Sequence, residues 1–407
     1  MFKRFREDIG FIRGNVLVLM TSGLLTAFAG TIPTTYFSLY VLGLGGTPFI
    51  IGLIGSASSI VTALVQLIGG YLADSRERKR LVFLMTLGSA MSYVVFATAL
   101  SWHFLLVGTF VQSLFLMFQP AESALTADSI PPEKRGFGYS ILNFVGAVSI
   151  LSPLVAGFLY LTQGTVSAMR IAFWIAALSF FVAAAMRLKL KETFEPGPKK
   201  AGSILQVFRD SIMESLSVWK VLPRNALFLI VTSLLSMFFV NMTVPYYVIY
   251  TTTVLKVDEL QYSTLIAWEL AVYYVSLLPI GKIIDKTGRK NPLMLSSVLN
   301  IIGIWLFING DLPRLYIAYF LFALGNSLVF VAYPSLQADV VPRKHRGKVF
   351  GFSSFATGIL SSISVVIGGF IYEYVSVQLP FTLLLASMVL TIILTLFLIH
   401  EPKKREE

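Results

Sequence analysis

The chain has 407 residues, of which 56% are hydrophobic and only 13% are charged, and its formal net charge is +11. A soluble domain carries about 25% charged residues, so most of this chain is expected to avoid water. The absence of cysteine excludes a disulfide framework and a thiolate metal site. The three histidines (His103, His345 and His400) are scattered, so neither a metal nor a cofactor is expected.

Apolar runs of membrane length follow one another along the chain. No Lys, Arg, Asp or Glu occurs from residue 14 to 73 or from residue 81 to 121. Each run is long enough for two crossings of about 20 residues. Spanning segments of this kind must be helical, because lipid offers no partners for unpaired backbone groups. The sequence therefore predicts an all-α integral membrane protein. Its twelve predicted transmembrane helices cover residues 15–42, 48–73, 81–100, 104–127, 137–162, 168–187, 225–252, 260–283, 291–309, 313–337, 347–373 and 378–399.

Basic residues concentrate in alternate predicted loops. Of the 32 Lys and Arg residues, 29 fall in the two termini, in the segment after helix 6, and in the loops after helices 2, 4, 8 and 10. Only Arg170, Lys256 and Arg314 fall on the other side. Because positive loops stay in the cytoplasm, the split predicts a multi-pass protein of the plasma membrane with both termini cytoplasmic. It also accounts for the positive net charge without a nucleic-acid partner.

The sequence repeats at an offset of about 211 residues. Asp74 matches Asp285, and Asp128 matches Asp339, each within a similar stretch of sequence. Further matches at offsets of 210 to 212 join Arg135 with Arg346, Gly157–Tyr160 with Gly369–Tyr372, and the tyrosines that end helices 1 and 7. Each repeat holds an even number of helices. The two halves therefore run parallel, as pseudo-symmetric six-helix bundles related by an axis along the membrane normal.

The repeat predicts three regions. Residues 1–187 form the N-terminal bundle, and residues 225–407 form the C-terminal bundle with a short cytoplasmic tail. Residues 188–224 form a cytoplasmic linker between them. In this linker apolar residues recur at helical spacing opposite charged ones, which predicts an amphipathic helix on the membrane surface. Those apolar residues are Ile204, Phe208, Ile212, Leu216 and Trp219.

The loops after helices 2 and 8 carry a recognisable signature. Gly281-Lys-Ile-Ile-Asp285-Lys-Thr-Gly288-Arg289-Lys290 resembles the loop motif of the major facilitator superfamily, whose pattern is Gly-x-x-x-Asp-(Arg/Lys)-x-Gly-(Arg/Lys)-(Arg/Lys). The first copy, from Gly70 to Arg80, departs from it at Ser75 and Glu77. The resemblance covers essentially the whole chain. It implies the major facilitator fold, a monomer, and alternating access.

The same signature implies a pair of cytoplasmic latches. Asp74 and Asp285 end their helices, where a carboxylate is unfavourable against the helix dipole, so a partner on another helix is expected. Gly70 and Gly281 leave room for such a helix to approach. Solvated charge that only sets topology is the alternative, and Asp128 and Asp339 could instead hold one half together. By resemblance, the latch residues are Gly70, Asp74, Arg78, Asp128, Arg135, Gly281, Asp285, Gly288, Arg289, Asp339 and Arg346.

Two acidic residues lie inside predicted helices. Glu269 is midway along helix 8, and Glu122 lies about one and a half turns inside the cytoplasmic end of helix 4. A charge at the bilayer centre costs about 2.5–3.5 kcal/mol on insertion scales, so such residues usually face a cavity or a partner. Both are candidate proton-coupling sites, and a neutral Glu in a structural hydrogen bond is the alternative. No basic residue is predicted at this depth, so no buried ion pair is expected and a strongly anionic substrate is disfavoured.

Candidate substrate contacts follow from the resemblance. In the superfamily, helices 1, 4, 7 and 10 line the central cavity and helices 2, 5, 8 and 11 line it in part. Aromatic rings with a few amides suit a moderately apolar or neutral polar ligand, although tyrosines near helix ends also form interfacial belts. The candidates on these helices are Tyr36, Tyr40, Gln112, Gln119, Asn143, Asn241, Tyr246, Tyr247, Tyr250, Trp268, Tyr273 and Asn326.

A sequence motif in predicted helix 5 points to one branch of the superfamily. Ser152-Pro153-Leu-Val-Ala156-Gly157 resembles, imperfectly, the Gly-Pro-x-x-Gly-Gly motif of drug/proton antiporters, although helix 4 lacks the Arg usual in that branch. The resulting hypothesis is proton-coupled export of apolar or amphipathic small molecules. Proton-linked or facilitated transport of a sugar or another small neutral solute is the first alternative, and a non-transporting receptor or scaffold is the second. An enzyme is disfavoured because no metal-ligand cluster appears, and ATP-driven pumping is disfavoured because no nucleotide-binding Gly-rich loop with a Lys is present.

Overall fold

The computed structural model describes residues 11–193, 209, 213 and 222–401, apart from gaps at 76, 132–133, 135–137, 139–140, 143–144 and 343–345. Within these residues all regular structure is helical and no strand is present. Arg135, Asn143 and nearly all of the predicted amphipathic helix in the linker lie outside the described residues. The side chain of Asp74 and the surroundings of Gly70 lie outside them as well.

The described helices follow the predicted order. Eleven of them are long and apolar enough to cross a membrane, and a shorter apolar helix occupies the place of the predicted helix 5. The all-α membrane fold class is therefore confirmed. The helices are α1 Asn15–Gly43, α2 Pro48–Ser75, α3 Arg78–Ala97, α4 Trp102–Ser129, α5 Ala147–Gln163, α6 Thr165–Arg187, α7 Arg224–Val254, α8 Glu259–Thr287, α9 Lys290–Ile308, α10 Leu312–Val340, α11 Arg346–Tyr374 and α12 Leu379–Leu398.

Local sequence explains where several helices begin and end. Asp258 caps α8 by accepting a hydrogen bond from the backbone N–H of Gln261 at 2.8 Å, and Asp311 caps α10 in the same way. Such a cap satisfies one of the free N–H groups of the first turn. Gly164, with φ of 71°, turns the chain from α5 directly into α6. These polar and glycine residues mark the ends of helices in a chain that is otherwise mostly apolar.

Three helices are interrupted. A 3₁₀ turn at Pro33–Tyr36 breaks α1, and another at Val244–Tyr246 breaks α7 at the matching place in the repeat. Both interruptions contain a proline, which removes a backbone donor. Helix α4 is broken between Phe115 and Phe118, whereas its counterpart α10 runs unbroken over 29 residues. The cytoplasmic part of α4 is therefore a separate short segment, Phe118–Ser129, and it carries Glu122.

The chain divides into two compact units. The first consists of residues 1–40 and 61–208, and the second of residues 41–60 and 209–407. They differ from the predicted halves in one segment, Val41–Ile60, which groups with the second unit. In the first unit α6 packs against α3 and α1; in the second, α10 packs against α8 and α9, and α7 against α11 and α12. Each unit has its own apolar core.

A short strap follows the last helix of each unit. In the first unit (residues 190–192), Leu190 is buried against Leu19 and Leu125; in the second (residues 399–401), Ile399 is buried against Leu229 and Leu336. These straps are structurally equivalent, because their sequences align at an offset of 209 residues.

Asparagine side chains hold both straps. Asn15 donates to the carbonyl of Lys191 at 2.8 Å and accepts from its N–H at 2.7 Å. Asn225 makes the same two bonds with the backbone of His400, at 2.5 and 2.8 Å. Sequence reasoning missed this pair, although the two asparagines match at an offset of 210.

A glutamate in each strap caps the start of the helix that follows the signature loop of the same unit. Glu192 accepts a hydrogen bond from the backbone N–H of Lys79 at 2.9 Å, at the start of α3. Glu401 accepts one from the N–H of Arg289 at 2.8 Å, at the start of α9. A carboxylate is favourable at a helix N-terminus because it opposes the positive end of the dipole. The straps therefore fix the start of the helix that follows each signature loop.

Candidate functional site

The second unit encloses a cavity of about 630 Å³. Side chains from α7, α8, α9, α10 and α12 form its wall. Among the described residues of this wall, one side chain, Glu269, is acidic and none is basic. Its aromatic residues are Tyr247, Tyr262, Tyr273, Tyr319, Phe322, Phe330 and Tyr333. The combination of aromatic rings, one carboxyl group and a few amides and hydroxyls suits a neutral or cationic ligand.

Glu269 is half-buried in this wall. Within the described residues it forms no ion pair and no hydrogen bond, and Tyr247 and Tyr319 belong to the same wall. Tyr319 is only 2% exposed. A half-buried carboxyl group without a fixed partner can exchange a proton or meet a ligand.

A smaller cavity of about 300 Å³ lies in the first unit, among α1, α4 and the residues just before α5. Glu122 stands in its wall with Ser123 and Thr126, and the remaining wall is mostly apolar. Behind the wall, Arg187 is 2% exposed and donates from Nη2 to Oε1 of Glu122 at 2.6 Å. The two charges of this cavity therefore neutralise one another.

Arg187 uses all three of its nitrogens. Nη1 donates to the hydroxyl of Thr86 at 2.5 Å, and Nε donates to the hydroxyl of Ser22 at 3.4 Å. The guanidinium also lies over the ring of Phe118, 5.3 Å from its centre. The last residue of α6 thus joins α1, α3 and the short segment of α4.

The prediction that no buried ion pair meets either carboxylate is wrong for Glu122. The sequence predicts Arg187 as the last residue of helix 6 and counts it with the charges of the cytoplasmic linker, but its side chain is buried in the bundle. A buried charge needs a partner or neutralisation. An Arg that directly follows an apolar helix, in a chain with an unpaired internal Glu, was the available signal.

Three of the twelve predicted substrate contacts line the large cavity: Tyr247, Tyr273 and Asn326. Four other tyrosines are almost fully buried elsewhere. The ring of Tyr36 packs on Tyr160, and the ring of Tyr246 packs on Tyr372, with centroids 5.1 Å apart in both pairs. These two pairs are equivalent in the repeat and hold helices together.

The other two buried tyrosines bond to backbone carbonyls. The hydroxyl of Tyr40 donates to Phe96 at 2.9 Å, and that of Tyr250 donates to Ile308 at 3.1 Å. Both hydroxyls are therefore used inside their own units. Neither side chain borders the two cavities described above.

The predicted amides and Trp268 take other positions. Gln119 is exposed and accepts from Gln66 on α2 at 3.3 Å, whereas Gln112 bonds to the buried Tyr93. Asn241 donates to the hydroxyl of Ser361 at 2.7 Å, which joins α7 to α11. Trp268 is 43% exposed and stacks on Phe320, away from the cavity.

An ion pair of the signature-loop arginine is present in the described part of each unit. Arg78 pairs with Asp128 in the first unit, and Arg289 pairs with Asp339 in the second, at matching places in the repeat. Each pair joins the start of one helix to the end of another within its own unit. Such ion pairs agree with the alternative in which Asp128 and Asp339 hold one half together.

The other predicted latch residues of the second unit lie in different surroundings. Gly288 has φ of 85°, and a Cβ there would lie 2.7 Å from the carboxylate of Glu401, so only glycine fits. A Cβ on Gly281 would meet no described atom within 4 Å. Asp285 is exposed, and Arg346 donates to the carbonyl of Val341 at 3.2 Å. In the first loop Glu77 replaces the second glycine and has φ of −58°, so the two turns differ in backbone geometry.

Comparison with known proteins places these features in a family. A family model described as Major Facilitator Superfamily matches residues 19–268 and 230–407. The multi-drug resistance efflux pump PmrA of Streptococcus pneumoniae serotype 4 is 25% identical over 377 residues, covering 89% of this chain and 92% of its own. The multidrug resistance protein MdtG of Klebsiella pneumoniae is 26% identical, covering 83% of this chain and 82% of its own.

Solved structures share the fold. A crystal structure of a mutant of the nucleoside transporter NupG superposes with a TM-score of 0.78 at 13% identity, covering 95% of this chain and 100% of its own. The human organic anion transporter MFSD10 superposes with a TM-score of 0.69 at 18% identity, covering 94% and 98% of the two chains. At these identities the likeness concerns the arrangement of helices alone.

Proposed function

Because the chain belongs to the major facilitator superfamily, whose members are membrane transporters rather than enzymes, we propose that it exports neutral or cationic amphipathic molecules in exchange for protons. The route is alternating access. The cavity of the second unit forms part of the substrate site, and Glu269 is the coupling residue.

The position of Glu269 carries this proposal. It is the one acidic side chain of a cavity whose wall has no basic residue, and it has no ion-pair partner among the described residues. A proton or a cationic ligand can therefore reach a carboxyl group that nothing else neutralises. One proton that crosses about 100 mV supplies about 2.3 kcal/mol, enough to bias a transport cycle.

The cavity also favours this substrate class. Seven aromatic residues and one carboxyl group surround a space of about 630 Å³, which suits an apolar body with a polar or cationic group. The relatives PmrA and MdtG are named for multidrug resistance, which agrees with a broad amphipathic substrate range.

Glu122 has a different role in this proposal. Its carboxylate is engaged by Arg187, so it stabilises the first unit and is not the primary carrier of the proton. The signature-loop pairs keep the ends of α3, α4, α9 and α10 together within each unit. In the proposed cycle the helices that each pair joins then move together.

Purified protein in liposomes tests the coupling. We expect an outward-directed flow of an amphipathic fluorescent cation to accompany proton movement in the opposite direction, and Glu269→Gln to abolish that proton movement. Glu259→Gln, the same change on the same helix at its first turn, is the control and should leave coupling intact. Normal proton movement in the Glu269→Gln protein would refute the assignment. Movement of a sugar instead of the cation would favour the alternative substrate class.

A further inference from the structure

A second acidic residue bridges two helices at the end of the bundle opposite the signature loops, which is the predicted outer side. Glu373 lies in the last turn of α11, and its Oε2 accepts a hydrogen bond from the backbone N–H of Phe49 at 2.7 Å. Phe49 is the second residue of α2, far away in sequence. The hydroxyl of Thr47, just before α2, also contacts this carboxylate.

The backbones of α2 and α11 touch beside this bond. A Cβ on Gly52 would lie 2.8 Å from the carbonyl oxygen of Val365, and one on Gly369 would lie 2.8 Å from that of Pro48. The phenol of Tyr246 on α7 bonds to both of these carbonyl oxygens, at 3.2 and 3.3 Å. All of these residues belong to the second compact unit. The contact is therefore close and specific.

The carboxylate of Glu373 is stabilised only while this contact exists. At the end of its own helix it faces the negative pole of the α11 dipole, which is unfavourable. At the first turn of α2 it faces the positive pole and satisfies a free N–H, which is favourable. When α2 and α11 separate, the carboxylate loses the favourable interaction with α2 and keeps the unfavourable one with the dipole of α11.

We propose that Glu373 is a latch for this side of the transporter, formed when the start of α2 docks on α11 and lost when they part. The proposal rests on alternating access, because only a cycle that opens this side requires the contact to break. No charged side chain on the described parts of α2 or α7 faces Glu373; its neighbours there are Thr47, Tyr246 and, on α11 itself, Tyr374.

The absence of cysteine makes a direct test possible. Val365 is 6% exposed and packs against Gly55 of α2, so Val365→Cys reports separation of α2 from α11 by its reaction with a membrane-impermeant thiol reagent. In this background Glu373→Ala should raise the labelling rate by about fivefold, the factor expected for the loss of one helix cap. Glu373→Gln keeps an acceptor oxygen without the charge and should raise the rate by a smaller factor.

Asp258→Ala provides the matched control. Asp258 also caps a helix at this end of the bundle, but it accepts from Gln261 of the same helix. We expect it to lower thermal stability without raising the labelling rate. Rates within twofold of background for both Glu373 variants would overturn the latch, as would an equal rise in Asp258→Ala. A Val365→Cys rate that never changes on adding a transported cation would instead count against alternating access.

Discussion

The two compact units share a helical plan but treat their internal charge in opposite ways. In the first, Glu122 is engaged by a buried Arg187. In the second, the positions at the same offset are Tyr333 and Leu398, so the pair is replaced by uncharged residues. Glu269 of the second unit stands alone in a large cavity, and its counterpart in the repeat is Ser58.

The difference separates a structural charge from a functional one. A buried carboxylate that holds an arginine is costly to disturb, because loss of either partner leaves an unpaired charge. A carboxylate that faces a cavity without a partner costs little to replace by its amide, but it is available to protons and ligands. The four predictions below test this contrast, from the largest expected effect to the smallest.

The largest effect is expected at the buried pair. Arg187→Leu, which installs the residue of the matching position, should lower the free energy of unfolding by about 3–5 kcal/mol because Glu122 loses its partner. Denaturant unfolding in detergent measures the loss. The double variant Glu122→Gln with Arg187→Leu should recover most of it. A double variant as unstable as the single one would mean that lost packing, rather than the unpaired charge, is responsible.

Glu269→Gln should show the reverse behaviour. We expect the free energy of unfolding to stay within about 0.5 kcal/mol of the wild type, as for substitutions that break no paired contact. Transport of a neutral substrate should change strongly, since the one proton exchanged for it supplies about 2.3 kcal/mol on crossing about 100 mV and sustains roughly a fiftyfold gradient. Without coupling the gradient of substrate in liposomes should fall toward unity. Marked destabilisation with an intact gradient would reverse the two roles.

The straps should prove equivalent in the two units. Asn15→Ala and Asn225→Ala each remove two hydrogen bonds to a strap backbone. Each should lower the free energy of unfolding by about 1–3 kcal/mol. Thermal unfolding of the two variants, compared side by side, checks this equality. A much larger loss in one unit would show that only that strap supports its bundle.

The smallest effects are expected at the signature-loop pairs. Asp128→Asn and Asp339→Asn should each cost about 0.2–1 kcal/mol, because ion pairs near water contribute little. Asp339→Asn should cost more, since the Asp339 side chain is 15% exposed and that of Asp128 is 42% exposed. Thermal unfolding at low and high salt checks both values. A larger loss for Asp128→Asn would contradict the ranking by exposure.

The sequence predicts the helices well because lipid imposes a strict length and leaves few alternatives to a helix. The repeat then predicts which residues are equivalent, and the ion pairs of Arg78 and Arg289 follow the 211-residue offset. The rotation of each helix is harder to predict. Tyr36 and Tyr246 were expected at a cavity, but they pack on Tyr160 and Tyr372, because the 3₁₀ turns in α1 and α7 and the neighbouring helices set their direction.

The site itself could be predicted only in part. Glu269 was found because a carboxyl group within a long apolar helix is conspicuous at any rotation of that helix. The partner of Glu122 was missed because Arg187 is 65 residues away and, as the last residue of its predicted helix, was counted with the charges of the cytoplasmic linker. The two side chains pair because they lie at the same depth in the bundle, although they are far apart along the chain.

The network of Arg187 has a further consequence for biosynthesis. All three of its polar partners, Ser22, Thr86 and Glu122, precede it in the chain. When the ribosome completes α6, the acceptors for its arginine have already been synthesised and α1, α3 and α4 can be waiting in the membrane. The helices around this buried charge can therefore assemble before α7 and the helices after it have been made. Glu122, by contrast, is synthesised 65 residues before Arg187, so its ion-pair partner is absent until those residues have been made.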